Sequence, residues 1–119
     1  MLPTDRIIAP GVRPIKSISP VEYAVQRRAG NPARLIDVRE PWEFEVARID
    51  GAQLMPLGEI YEWAASLDRG GSYVLMCHHG IRSALACQVL HAFGFDDVTN
   101  LEGGIDAWAC FVDPTVRRY

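Results

Sequence analysis

The chain predicts one α/β domain built on a mainly parallel sheet. Short aliphatic runs near residues 35–38, 53–55, 73–77 and 98–101 alternate with stretches of helical periodicity. The run Leu35-Ile36-Asp37-Val38 is apolar apart from a single acid, the pattern of a strand covered on both faces. A length of 119 residues, 49% of them apolar, supports one real core. No internal repeat or linker interrupts it.

Residues 1–14 carry Pro3, Pro10, Gly11 and Pro14 without periodicity and read as an N-terminal arm. Ile15 to Ile18 is a short strand. Ser19-Pro20-Val21-Glu22 is a capping box with proline at the first helical position. Val21, Ala24 and Val25 are expected to form the buried stripe of that helix, and Gly30 to end it. Leu35 to Val38 follows as a strand, and Pro41 to Val46 as a short helix. Gln53 to Met55 is a strand stopped by Pro56. Leu57, Ile60, Tyr61 and Ala64 then recur at helical spacing, with Glu59 and Glu62 in the early turns. Gly70-Gly71 breaks the chain before strand 73–77. The next helix carries Ala86, Val89, Leu90 and Phe93 on one stripe and ends at Gly94. Val98 to Leu101 is the last strand, and Gly103-Gly104 opens a final helix containing Trp108.

The chemistry concentrates where strand 73–77 meets the following helix, at Cys77-His78-His79-Gly80-Ile81-Arg82-Ser83. A tight loop entering a helix N-terminus turns backbone N–H groups inward, and the helix dipole adds partial positive charge. An anion in that cup is stabilised, so a Cys77 thiolate is favoured there and nucleophilic near neutral pH. Ligands of parallel sheets sit beyond the carboxyl ends of the strands, which is the place of Cys77. The reading is a thiolate nucleophile for anionic or sulfur-bearing substrates, activated by the loop rather than by a proton acceptor. A histidine beside the nucleophile in sequence is seldom its base.

The other polar residues admit more than one role. His78 and His79 offer backbone amides and partial positive charge, or they are solvent-facing loop residues. As adjacent residues they are expected to diverge, and with no further ligand at suitable spacing no metal site is expected. Arg82 caps the loop, meets the substrate, or does both. Asp37 and Arg39 end a neighbouring strand and read first as a salt bridge supporting the loop, with a general-acid carboxylate as the alternative. Cys87 and Cys110 read as packing residues, with a resolving thiol as the alternative. Trp42, Trp63 and Trp108 read as core or pocket-wall aromatics, and His91 has no evident role.

Bulk properties exclude several classes. A net charge of −3 offers no general attraction for nucleic acid or an anionic membrane. Of twelve basic residues Lys16 is the one lysine, a bias with no assigned function. Three cysteines without CxxC spacing argue against a disulfide framework or a zinc site. No run approaches the ~18 apolar residues of a membrane span, and no basic-then-apolar leader pattern is visible. A reducing cytoplasm is the expected compartment.

Four stretches in order resemble the signatures of a rhodanese-homology domain, from about Ile15 to about Asp113, leaving 114–119 as a tail. They are Leu35 to Pro41 with Glu43-Phe44, Ala47 to Ala52, Cys77 to Ser83, and Leu101 to Trp108. The second departs from the family's commoner Gly-His-Ile-Pro-Gly-Ala at Arg48 and Asp50, a change that bears on the substrate rim rather than the reaction class. The resemblance implies a five-stranded sheet flanked by helices on both faces, and a sulfurtransferase that needs no cofactor or metal. It makes Cys77 the residue that takes a sulfane sulfur from a donor such as thiosulfate, becomes a persulfide, and passes the sulfur to cyanide or a thiol. The amides of His78, His79, Gly80, Ile81, Arg82 and Ser83 would cradle that sulfur, with Arg82 orienting the donor. Phosphatases of the same fold carry five residues between cysteine and arginine, whereas four lie between Cys77 and Arg82, which favours sulfur over phosphoryl transfer. Two other readings stand beside it: a sulfur relay serving a protein partner with little thiosulfate activity, and a regulatory binding module.

Overall fold

Alternation along the central strands sets the architecture. Side chains two apart in a strand share a face, so Tyr73 and Leu75 point one way while Val74 and Met76 point the other. Both sets are buried, which requires cover on both sides. The computed structural model describes residues 13–119, and most of the expected arm lies outside them.

The strands are β1 (Lys16–Ile18), β2 (Arg34–Asp37), β3 (Gln53–Leu54), β4 (Ser72–Met76) and β5 (Asp97–Leu101). They form one sheet in the order β1-β5-β4-β2-β3, with every pair parallel. The helices are α1 (Pro20–Arg28), α2 (Pro41–Val46), α3 (Ile60–Trp63), α4 (Ile81–Ala92) and α5 (Gly104–Phe111). One core joins Leu75, Cys77 and Val98 to Ile60, Ala64, Ala86, Cys87 and Leu90, on the side of α3 and α4. The other joins Val74, Met76 and Leu101 to Tyr23, Ala47, Ile105 and Trp108, on the side of α1, α2 and α5. Val116 and Tyr119, from the segment expected as a tail, pack against this second core. Among the described residues no helix is long and apolar enough to cross a membrane.

Two expected stripes are rotated, while that of α4 packs into the core. The capping box of Ser19 and Glu22 forms, yet α1 buries Pro20, Tyr23 and Ala24 while Val21 and Val25 are exposed. The cause lies outside the helix: Tyr23 tilts against Trp108 at 6.2 Å, and Arg27 lays its guanidinium over both rings. In α3, flanked by single 3-10 turns, Ile60 and Ala64 are buried but Tyr61 is exposed, resting on Phe93 at 5.6 Å. In α4 the buried face is Ser83, Ala86, Cys87 and Leu90, with Val89 and Phe93 at its margin.

Candidate active site

Cys77 follows the last residue of β4 and keeps its alternation, so its side chain falls on the α4 side and is 1% exposed. Two structural anchors set the loop behind it. The carbonyls of Cys77 and His78 accept the N-terminal amides of Ile105 (2.9 Å) and Asp106 (3.2 Å) in α5. Gly80 adopts φ +103°, a conformation side chains disfavour, and from there it caps α4. Its carbonyl takes a hydrogen bond from Asn100 Nδ2 on β5 at 3.0 Å.

The result is a set of donors aimed at the sulfur. The Gly80 amide lies 3.1 Å and the Ser83 amide 3.4 Å from Cys77 Sγ. Ser83 Oγ stands 3.3 Å from Sγ and 2.5 Å from Asn100 Oδ1, so one hydroxyl proton serves two acceptors. These groups, at the N-terminus of a twelve-residue helix, favour negative charge on the sulfur. No histidine nitrogen or carboxylate hydrogen-bonds to Sγ among the described residues.

Arg82 neither caps loop carbonyls nor stands free. It grips Glu43 of α2 in a two-pronged pair, Nη1 to Oε1 at 2.6 Å and Nη2 to Oε2 at 2.9 Å. Of its five N–H donors, two are used there. The Arg82 hydrogen bonds hold the Glu43 carboxyl down at about 2, and Glu43 in turn raises the guanidinium further above its usual range. Tyr119 Oη donates to Glu43 Oε2 at 2.7 Å and accepts from Arg39 Nη1 at 2.8 Å. Burial pushes the Tyr119 phenol up to about 12. Arg39, fully buried, pairs with Asp37 (Nη2 to Oδ2, 2.7 Å) and also donates to the Ala47 carbonyl at 2.6 Å. Asp37 and Arg39 therefore reach the loop through Tyr119, Glu43 and Arg82, not directly.

The histidines do not diverge. Their rings stack at 3.9 Å, and His78 stacks on Tyr119 at 4.0 Å, so the aromatic faces override the tendency of neighbours to splay. Burial, then the neighbouring His79, pulls His78 below its usual value. His78, His79 and Asp106 present ligand atoms within 4.8 Å of one another. Asp106 thus supplies the further ligand that sequence spacing did not offer, because α5 brings it beside the loop, and Arg118 pairs with the same carboxylate at 2.9 Å. Ile81 is 80% exposed and turns away from the sulfur. Of the loop amides expected to cradle sulfur, those of Gly80 and Ser83 touch Sγ.

Elsewhere, Trp108 is buried, and Trp63 donates to the Pro56 carbonyl at 2.8 Å. Trp42, expected in a core or wall, is 61% exposed and meets Tyr119 edge-on. Cys87 is buried in the core, its thiol pushed up to about 12 by that burial, while Cys110 is exposed rather than packed. His91 is half-buried, with no hydrogen-bond partner for Nδ1 among the described residues. A cleft of about 540 Å³ between Ala47–Asp50 and Asp113–Arg117 contains no residue of the 77–83 loop. Sequence reading gave no role to Asn100 or Tyr119 and saw Glu43 only as part of a signature. A polar residue inside the apolar β5 run was a signal for Asn100; nothing local marked Tyr119.

Comparison with known proteins agrees with this geometry. The rhodanese-like domain model matches residues 20–110. The chain is 40% identical over 105 residues to the probable adenylyltransferase/sulfurtransferase MoeZ of Mycobacterium tuberculosis, spanning 87% of this chain and 27% of that protein. It therefore covers about a quarter of that relative's length. It is 34% identical to the thiosulfate sulfurtransferase GlpE of Shewanella oneidensis, over 74% of this chain and 87% of GlpE. A solved rhodanese-like domain protein from Staphylococcus aureus superposes with a TM-score of 0.76 at 30% identity, over 88% of this chain and 99% of that one. A thiol at the end of a parallel strand, ringed by helix-entry amides in a fold matched over most of its length, places this chain in the rhodanese-like domain family.

Proposed function

We propose that the protein is a sulfurtransferase that carries a sulfane sulfur on Cys77. The observation behind this reading is the surround of Sγ: two amides and one hydroxyl within 3.1–3.4 Å, and no histidine or carboxylate bonded to it among the described residues. Proteolytic or acyl-transfer chemistry needs a base to activate its nucleophile, whereas attack of a thiolate on a sulfur–sulfur bond does not. In the first step the Cys77 thiolate attacks the outer sulfur of thiosulfate. A sulfur–sulfur bond forms to Cys77, the original one breaks, and sulfite leaves with the electron pair. In the second step cyanide or a thiolate attacks the outer sulfur of the persulfide and Cys77 leaves as a thiolate. The Gly80 and Ser83 donors stabilise the anionic sulfur in both resting and loaded states, and the Arg82 guanidinium, close enough to feel the charge on Cys77, would attract the anionic donor and the departing sulfite. Neither step calls on a metal or cofactor. Free cysteines and a persulfide suit a reducing, cytoplasmic setting.

A protein donor or acceptor is the second reading. Ile81, Leu85 and Trp42 leave exposed apolar surface beside the loop, and the MoeZ relative joins a sulfurtransferase name to an adenylyltransferase one. The test is an intact mass of the reduced protein after thiosulfate treatment, beside Cys77→Ser. A one-sulfur gain that depends on Cys77 and is discharged by cyanide supports the small-molecule reaction. Gain only from a cysteine desulfurase points to the relay, and no gain from any donor removes the sulfur-transfer reading.

A further inference from the structure

The Arg82–Glu43 pair joins α4 to α2 across 39 residues of chain, but a third element holds it in place. Residues after α5 cross back over α2 so that the Tyr119 ring lies parallel to His78 at 5° and edge-on to Trp42 at 76°. Its hydroxyl sits between two groups of opposite charge, accepting from Arg39 at 2.8 Å and donating to Glu43 Oε2 at 2.7 Å. Arg39 is itself immobilised by Asp37, Ala47 and the Glu43 carbonyl at 3.3 Å, and all of these are buried. Rigidity thus passes from a buried ion pair through one phenol to the carboxylate that orients Arg82. The other surround of Glu43 is the Glu40 amide at 3.1 Å, on its Oε1. Without the phenol, Oε2 is held by Arg82 alone.

We propose that Tyr119 is a positioning residue for sulfur transfer: its hydroxyl fixes the Glu43 carboxylate, and through it the direction in which Arg82 presents its free N–H groups to an anionic donor. Tyr119 touches neither Cys77 nor the substrate in this scheme. Its second contribution is to keep the His78 ring stacked and so hold the first turn of the loop. The proposal rests on the sulfur-transfer reading above, and two independent readouts separate them.

The first is Cys77 loading by thiosulfate, followed by intact mass in wild type, Tyr119→Phe, Glu43→Gln and the double variant. Phenylalanine keeps the stack and removes the hydroxyl. The half-saturating thiosulfate concentration should rise about five- to tenfold, the worth of one ordinary hydrogen bond because the phenol acts through Glu43 and Arg82 rather than on the donor itself, with a smaller fall in the saturating rate. On the Glu43→Gln background the same change should cost less than about twofold, because the residue it acts through is already altered. Full multiplication of the two effects, or a Tyr119→Phe protein within twofold of wild type, overturns the proposal. The second readout needs no sulfur donor: the ratio of iodoacetate to iodoacetamide alkylation rates at Cys77. A fixed Arg82 favours the anionic reagent, so Tyr119→Phe should lower the ratio about threefold or more. An unchanged ratio overturns the proposal whether or not wild type takes up sulfur. A lowered ratio in a protein that takes up none would support the role of Tyr119 while removing the sulfur-transfer reading.

Discussion

Gly104 and Cys77 are in backbone contact: a Cβ on Gly104 would overlap the Cys77 carbonyl oxygen and stand 2.5 Å from that of His78. This close approach lets Ile105 and Asp106 donate to the two carbonyls, which anchors the loop at its origin. The second glycine of the pair thus belongs to the site as much as the cysteine does.

Gly104→Ala should therefore damage site and fold together. Its φ of +60° and the overlap with two carbonyls are expected to cost about 3 kcal/mol, and the displaced loop should slow sulfur loading of Cys77. Urea denaturation and intact-mass loading, taken side by side with Gly58→Ala in open space, provide the check.

Asp37→Ala leaves Arg39 charged and unpaired at a fully buried position. A loss of about 3–5 kcal/mol is expected, as for other buried pairs broken on one side. Because Arg39 also supports Tyr119, variants that still fold should load sulfur more slowly; chemical denaturation and loading rates measure the two effects.

Glu43 ties stability to acid. Its folded carboxyl lies at about 2 against an unfolded value of 4.5, so its contribution is complete above pH 4.5 and is lost as pH falls toward 2. Wild type should lose stability more steeply across that window than Glu43→Gln, which has no proton to bind there. Thermal midpoints between pH 6 and pH 2.5 would show the difference in slope, and parallel slopes would contradict it.

The three thiols should separate by reactivity. Cys87, buried and pushed up to about 12, should resist iodoacetamide at pH 8 until the protein unfolds, whereas exposed Cys110 should react in the native state. After loading with thiosulfate, Cys77 should be alkylated on the outer sulfur of its persulfide, giving an adduct that a reducing agent releases, unlike the thioether formed on the unloaded thiol. Peptide mapping of native and urea-treated samples tests all three assignments.

Much of this was legible in residue order. The strand and helix alternation, the capping box at Ser19 and Glu22, and the cysteine at a strand end before a glycine loop are local patterns. They follow from side-chain periods of two and 3.6 and from glycine's access to positive φ, which hold wherever the chain lies in space. The rotated faces of α1 and α3 were not legible, because equally apolar residues compete for one side and the winner is chosen by the neighbour. Tyr23 is buried over Val21 because Trp108 is there to receive it.

The same division holds at the site. That Cys77 faces donors of a helix entry was contained in the run Cys77 to Ser83. That Arg82 would be claimed by Glu43, and Glu43 by Tyr119 from 76 residues away, was not. Paired charges are specified by distance in space, and distance depends on the strand order β1-β5-β4-β2-β3, which brings the end of β2 beside β4 and lets the chain beyond α5 cross over both. Period and torsion are properties of neighbouring residues; a charge network is a property of the packed sheet.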